Sequence, residues 1–341
     1  MVRLRAPRIA DLPKPILCVP LLLHWFWLAA RHRSLTLPST VNPAIETGGL
    51  AGESKSACLA QIAPAFRANV AAWTRVAPGD DPVAATQALG IGYPLIAKPD
   101  IGWCGYGVRS IEDAAGLRSY AAAFPRGAAF IIQHLVSAPM EAGLFYVRRP
   151  GAGSGRLTAM AFRHAPELAG DGRRSVAELI ASDRSSSKLA RSIDPARLAQ
   201  VPGIGERVVL TTVASLRVGA TYRDMSAHIT PPLEACVDAI ARSMPDFHFG
   251  RFDVRFESLA ALQRGAFSII EVNGAGSEAI GCWDPSLPLR TAFAGVFAKQ
   301  RLAFELGAVM RGAGHVPVGV VGLAGAWLRQ QRLIRRYPPS N

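Results

Sequence analysis

Gly250-Arg-Phe-Asp-Val-Arg-Phe-Glu257, a short polar break, and Phe267-Ser-Ile-Ile-Glu-Val-Asn-Gly-Ala-Gly-Ser-Glu278 form the stretch whose reading organises the chain. Both halves alternate apolar and polar residues as strands do. If residues 251–256 and 267–273 pair as antiparallel neighbours about a pivot near Leu262, Asp253 falls opposite Glu271. Alternation adds Arg251 and Asn273 to that face. Two carboxylates, an amide oxygen and a guanidinium then converge, while Phe252, Val254, Ile270 and Val272 turn toward a core. Such a face suits a hard cation carrying phosphate. The plainer alternative is a solvated hairpin face on which Asp253 and Glu271 only balance Arg251 and Arg255.

The 341 residues suffice for two or three compact units with a sizeable core. Lys and Arg number 38 against 25 Asp and Glu, a net charge of +13 that suits an anionic ligand, a nucleic acid or an anionic membrane surface. The arginines are dispersed and follow no finger or helix-turn-helix spacing, which weighs against nucleic acid. Five scattered cysteines without a CxxC pair fit a reducing compartment and no structural zinc. His134, His164, His228 and His248 show no ligand spacing either.

Near the N-terminus Arg3, Arg5 and Arg8 precede an apolar run over residues 16–30 that contains Trp25, Phe26 and Trp27 and is closed by Arg31, His32 and Arg33. About 15 residues are too few to span a bilayer, which takes about 20. Leu28, Pro20 and His24 argue against a cleaved secretory signal. Two readings remain: a helix packed on the protein's own core, or an interfacial anchor. Residues 315–328 are a second short apolar segment, ending in Arg329, Arg332, Arg335 and Arg336.

Between these ends, a Gly-rich loop over residues 42–55 leads into an apolar-periodic helix expected over 56–73. The loop is no Walker A, because Glu53 and Ser54 separate Gly52 from Lys55; it either starts the helix or closes over a substrate. Residues 93–98 read as a strand ending in Lys98, followed by a loop with Gly102, Gly105 and Gly107. A lysine on a strand below a glycine loop can hold a phosphate from two sides, since backbone N–H groups in such loops form anion-binding concavities. A strand over 128–133 ends in Gln133, where a connecting segment could read an adenine, and Glu141 opens the next strand, placed to accept ribose hydroxyls. The strand over 157–162 leaves Arg163 at its end, and Ser175 with Glu178 reads as a capping box. A strand over 206–213, a turn flanked by Arg217 and Arg223 that could hold a substrate carboxylate, and a long helix over 286–310 complete the reading.

Lys98 with its glycine loop, Glu141, the Gly170-Asp-Gly turn, Arg251-Phe-Asp253 and Glu271-Val-Asn273 occur in an order that resembles the ATP-grasp superfamily of ATP-dependent carboxylate-amine ligases, over residues 81–284. The Asn-Pro, Gly-Gly and Gly-Glu-Ser-Lys signature near the N-terminus is similar to a bacterial, D-alanine--D-alanine ligase-like branch. The resemblance implies an α+β fold whose two lobes clamp ATP, with a reduced N-terminal region. It implies that Lys98, Gly102, Gly105, Gly107 and Gln133 bind the nucleotide, Glu141 its ribose, and Asp253, Glu271 and Asn273 two Mg2+ ions, with Mn2+ as a substitute. Arg251 would hold the transferred phosphate or acyl phosphate. Arg163 stands where many relatives carry a second lysine, keeping the charge as a planar fork. The expected organisation is an N-terminal region over 1–80, a catalytic domain over 81–310 and a basic tail over 311–341. The expected reaction joins a small carboxylate to an amine acceptor in the cytoplasm, with peripheral membrane contact through 16–30 and 315–328. A phosphotransferase using the same site, or a silent membrane-associated ATP-binding scaffold, are the alternatives.

Overall fold

The computed structural model describes residues 12–182, 193, 195–211 and 215–340. Arg3, Arg5 and Arg8, and the end of the strand expected over 206–213, lie outside the described residues. The described helices are α1 (Lys14–His32), α2 (Lys55–Ala60), α3 (Pro82–Leu89), α4 (Ala114–Ala123), α5 (Val176–Ser182), α6 (Pro195–Leu198), α7 (Pro231–Ser243), α8 (Leu259–Gln263), α9 (Leu289–Gly312) and α10 (Val320–Ile334). The strands are β1 (Trp73–Val76), β2 (Leu95–Pro99), β3 (Arg109–Ile111), β4 (Phe130–His134), β5 (Met140–Val147), β6 (Arg156–His164), β7 (Glu167–Ala169), β8 (Arg207–Val209), β9 (Thr221–Asp224), β10 (Phe249–Phe256) and β11 (Ser268–Asn273). The architecture is α+β, as the sequence predicts.

The chain divides into two compact units, one of residues 1–71, 136–162 and 222–331, the other of residues 72–135, 163–221 and 332–341. In the first unit a five-stranded sheet has the order β11-β10-β5-β6-β9. Its inner strand β10, between β11 and β5, is buried on both sides, with Phe249, Phe252, Val254 and Phe256 each at 1% exposure or less. Phe145, Phe249, Val41, Ala303 and Leu306 form a core cluster that includes residues of α9. The helix α1 lies against α9 through the edge of Trp25 on Phe304, ring centroids 4.9 Å apart, and a 2.6 Å hydrogen bond between His24 Nδ1 and Gln300 Oε1.

Two local expectations fail for physical reasons. The pairing of β10 with β11 shifts register after Asp253, so that Val254 lies opposite Ile269, not Ile270. Ile270 is the extra residue of a bulge, and the core position passes to Ile269, which is fully buried. The long helix expected over 56–73 is only α2, followed by a 3-10 turn over Pro64–Asn69 and then β1. Pro64 brings no N–H and pushes Ala63 into extended backbone, at φ −60°, ψ 150°, so the helix cannot run through.

The second unit carries a four-stranded sheet of order β1-β4-β2-β3 and the two-stranded pair β7-β8. Leu95, Ala97, Ile132, Leu117 and Tyr120 pack one core cluster of sheet and α4. Asp81 and Asp113 cap the N-termini of α3 and α4 by accepting from Val83 N and Gly116 N, and Gly90 ends α3 in the left-handed region. The expected capping box is present: Ser175 N donates to Glu178 at 2.7 Å, and Glu178 N donates to Ser175 Oγ at 3.3 Å.

Candidate active site

On β10 and β11, Arg251 lies opposite Asn273 and Asp253 opposite Glu271, the register expected from the sequence. On the other flank of β10, Arg251, Asp253 and Arg255 face Phe145, Gly143 and Glu141 of β5. Directly opposed residues share a face, so Arg251, Asp253, Glu271, Asn273 and Glu141 stand on one side of the sheet.

The centre of that face is not solvated: Arg251 is 8% and Asp253 1% exposed, while Glu271 and Asn273 are half-buried. A charge so deeply buried must be paired. Arg251 donates from Nε and Nη2 to the two oxygens of Asp253, at 2.6 and 3.1 Å, and from Nη1 to the Glu278 carbonyl at 2.9 Å. This fork on a carboxylate fixes the guanidinium plane. Asn273 Nδ2 adds a 3.3 Å bond to Asp253 Oδ2. The arginine side chain runs across the diagonal position on β5, Gly143, where a Cβ would stand 2.8 Å from Arg251 Cδ and 2.7 Å from Ile280 Cδ1. Glu141 is also buried, with Oε2 at 3.5 Å from Arg255 Nη2.

The loop over 42–55 adds groups that the sequence reading left unassigned. Buried Asn42 staples it to the start of β10, donating to the Phe249 and Gly48 carbonyls at 2.8 and 3.1 Å and accepting from His248 N and Phe249 N. Gly49, at φ 81°, packs so closely on Gly274 that a Cβ would meet its Cα at 2.5 Å. Ala275 N and Gly276 N bond the Gly48 and Gly49 carbonyls at 3.0 and 2.6 Å. So anchored, the loop ends in α2, capped by Ser54, and delivers buried Lys55 Nζ to Glu271 Oε1 at 2.5 Å. Glu53 accepts from Gly274 N at 3.1 Å.

The electrostatics follow from this packing. Burial pushes the Glu53 carboxyl up to about 7, against the pull of the Lys55 ammonium. Burial alone would lower Lys55, but the Glu271 carboxylate outweighs it and the pKa rises. Lys299 of α9 donates to the Ala275 carbonyl at 3.0 Å, and burial lowers it to about 8, opposed by Glu278. A cation in the first turn of a helix runs against the helix dipole. Lys55 is such a residue, and that mismatch is the signal by which the sequence could have flagged it.

Of the residues expected to bind the nucleotide, Glu141 belongs to the first unit, and Lys98, Gly102, Gly105, Gly107 and Gln133 belong to the second. Lys98 is 5% exposed and donates to Gln133 Oε1 at 2.7 Å, reaching diagonally across the β2–β4 pairing in which Lys98 faces Ile131. The loop after β2 turns at Gly105 and Gly107, φ 72° and 74°, near Gly102. Ser215 Oγ and Arg217 Nε both donate to the Cys104 carbonyl, at 3.1 and 3.0 Å, and the Arg217 guanidinium lies 4.3 Å over the Tyr106 ring. Arg217, expected beside a substrate carboxylate, is thus drawn to the outward carbonyls of the glycine loop. Arg163, half-buried near the end of β6, opens the second segment of this unit.

Two opposed carboxylates and a carboxamide give an all-oxygen donor set that suits a hard cation, and Asp253, Glu271 and Asn273 fit Mg2+ on that ground. Among the described residues no group of three or more His, Cys, Asp or Glu gathers as a metal site; the set here is two carboxylates and one amide.

No protein-family profile matches the chain, and no curated protein matches it. Among solved structures the chain is similar to a bifunctional glutathione synthetase from Pasteurella multocida, at 14% identity over 74% of this chain and 37% of that one, TM-score 0.37. It is similar to a D-alanine--D-alanine ligase from Bacillus anthracis complexed with ATP, at 14% identity over 80% and 70%, TM-score 0.45. It is also similar to a D-Ala:D-Ser ligase from Enterococcus faecalis, at 12% identity over 76% and 63%, TM-score 0.43. The chain spans little more than a third of the glutathione synthetase. Likenesses at this identity and these TM-scores carry no conclusion about chemistry, which comes from the residues.

Proposed function

We propose that the chain is an ATP-grasp enzyme that uses ATP to join a small carboxylate to an amine through an acyl phosphate. The observation that carries the reading is the buried arginine-carboxylate fork of Arg251 on Asp253, set directly opposite Glu271 and Asn273. A structural ion pair of this burial costs desolvation that an apolar pair would avoid. A phosphoryl-transfer site needs such groups, because its transition state is stabilised mostly by fixed charges and positioning.

The carboxylate oxygen of the substrate attacks the γ-phosphorus, the bond to the β-phosphate oxygen breaks, and ADP leaves. The amine then attacks the acyl carbon and orthophosphate departs. Arg251 offsets charge on the transferring oxygens, with its plane held by Asp253 and the Glu278 carbonyl. Lys98 serves the nucleotide phosphates in the second unit, oriented by Gln133. Glu141 accepts the ribose hydroxyls, and Arg163 adds a second phosphate-binding fork. A divalent cation on Asp253, Glu271 and Asn273 would supply further charge neutralisation of the phosphates. Lys55 holds Glu271 in place for that role.

Hydroxylamine in place of the amine tests this reading. Across a panel of small acids, the correct acid yields a hydroxamate in amounts equal to ADP. A stable phosphorylated product without hydroxamate or orthophosphate would make the chain a phosphotransferase.

A further inference from the structure

The helix α1 has two apolar faces, and the site chemistry uses neither. Its inner face, with Leu28 and Ala29 buried and Trp25 on Phe304, packs against α9. Its outer face carries Ile16, Val19, Leu22, Leu23, Phe26 and Trp27, each more than half exposed. They recur at three- and four-residue steps, so they form one stripe along the helix. A contiguous exposed apolar stripe of this size marks an interaction surface. The helix α10 repeats the arrangement, with Val320, Val321, Trp327 and Leu328 exposed. The segment leading into α10 is tied near the end of α1 by a 2.9 Å bond from Val318 N to Ser39 Oγ.

The charge around these stripes identifies their occupant. Residues 12–45 and 306–341 contain no Asp or Glu, so within and directly after the two stripes every charge along the chain is positive; of these, Arg329 is paired with Glu46. Arg31 stands 5.7 Å over the Trp27 ring at the end of the stripe. Aromatic residues with adjacent arginines match the headgroup level of a bilayer, where indole and guanidinium both find polar partners. A second copy of this chain would bring the same positive rim against itself, which like-charge repulsion opposes. Among the described residues no helix is long and apolar enough to cross a membrane; a helix with one exposed apolar face and arginines beside it suits the interface plane.

We propose that the first unit binds an anionic lipid surface through the outer stripe of α1, assisted by α10. The apolar side chains enter the acyl boundary, and Arg31 and Arg33 meet the phosphate headgroups.

Sedimentation of the full chain with vesicles tests this. With phosphatidylcholine vesicles holding about one-third phosphatidylglycerol, the protein pellets; with phosphatidylcholine alone it stays in solution, and high salt releases most of it because surface charge is screened. Phe26→Ser with Trp27→Ser lowers the partition about tenfold or more. Arg31→Gln with Arg33→Gln lowers it about tenfold or more on anionic vesicles. These side chains are exposed, so the variants should melt with the wild type; if the α1 variants melt early, Trp327→Ser with Leu328→Ser supplies the same test on α10. Equal sedimentation with and without vesicles, or equal binding to neutral ones, overturns the proposal. A dimer that Phe26→Ser with Trp27→Ser dissociates would assign the stripe to a second copy and overturn it too.

Discussion

Gly143→Ala tests the site through a residue that takes no part in the chemistry. Its Cβ would stand 2.8 Å from Arg251 Cδ and 2.7 Å from Ile280 Cδ1, where ordinary contact begins at 3.4 Å. Both side chains must retreat by roughly 0.6–0.7 Å, an overpacking that costs about 1–3 kcal/mol of stability. Arg251 Nε sits 2.6 Å from Asp253 Oδ1, so a retreat of that size strains or breaks the fork. A misplacement approaching ~1 Å costs up to about hundredfold in rate, so turnover should fall about ten- to hundredfold. The KM for ATP should change less than turnover, because Lys98 and Gln133 lie in the other unit and Glu141 is not among the atoms an added Cβ would meet. Coupled ADP release with the cognate acid measures both, and a thermal melt shows that the variant is folded. Wild-type turnover in a folded Gly143→Ala protein would refute the role given to Arg251.

Asp253→Asn and Glu271→Gln should each abolish Mg2+-dependent ADP formation, and each should also lower stability by about 3–5 kcal/mol, since Arg251 and Lys55 each lose the carboxylate they ion-pair with in a buried setting. The double variant Lys55→Met with Glu271→Leu should recover most of that stability in urea unfolding yet stay inactive; recovered activity would reduce the pair to a structural one. Glu53 supplies a pH signature. Its folded carboxyl titrates near 7, above its ordinary value of 4.5, so the folded chain holds the proton more tightly and stability falls as pH rises from about 4.5 to 7. The shift amounts to about 3 kcal/mol, discounted to ~1–2 kcal/mol because Glu53 keeps part of its surface. Glu53→Gln should flatten unfolding free energy across that window, and an unchanged slope would remove the assignment.

The central face was legible because its information is local. Asp253 and Glu271 lie on two strands joined by a short connection, so alternation and one pivot placed them opposite each other. The same inference missed the bulge at Ile270, since a bulge adds a residue without disturbing the apolar count. Lys55 was out of reach of such reasoning: its partner lies 216 residues away, and nothing in the spacing of the 42–55 loop reveals that contact. Gly143 reads in the sequence as one glycine in an apolar strand, and its purpose becomes visible only when Arg251 is seen lying beside it. The helix expected over 56–73 shows the converse error, in which apolar periodicity outweighed Pro64. Apolar α1 left core packing and interfacial anchoring open, and the structure shows one face doing the first while the other stays exposed.

The most direct test of the ligase reading follows the oxygen atoms. If the substrate carboxylate attacks the γ-phosphorus and is later displaced as an acyl phosphate, one carboxylate oxygen must leave with the phosphate. With the cognate acid labelled with oxygen-18 in its carboxylate and the amine present, the account predicts one labelled oxygen in the orthophosphate for each ADP formed. Orthophosphate that carries only solvent or ATP oxygen, with ADP forming at the full rate, would contradict it.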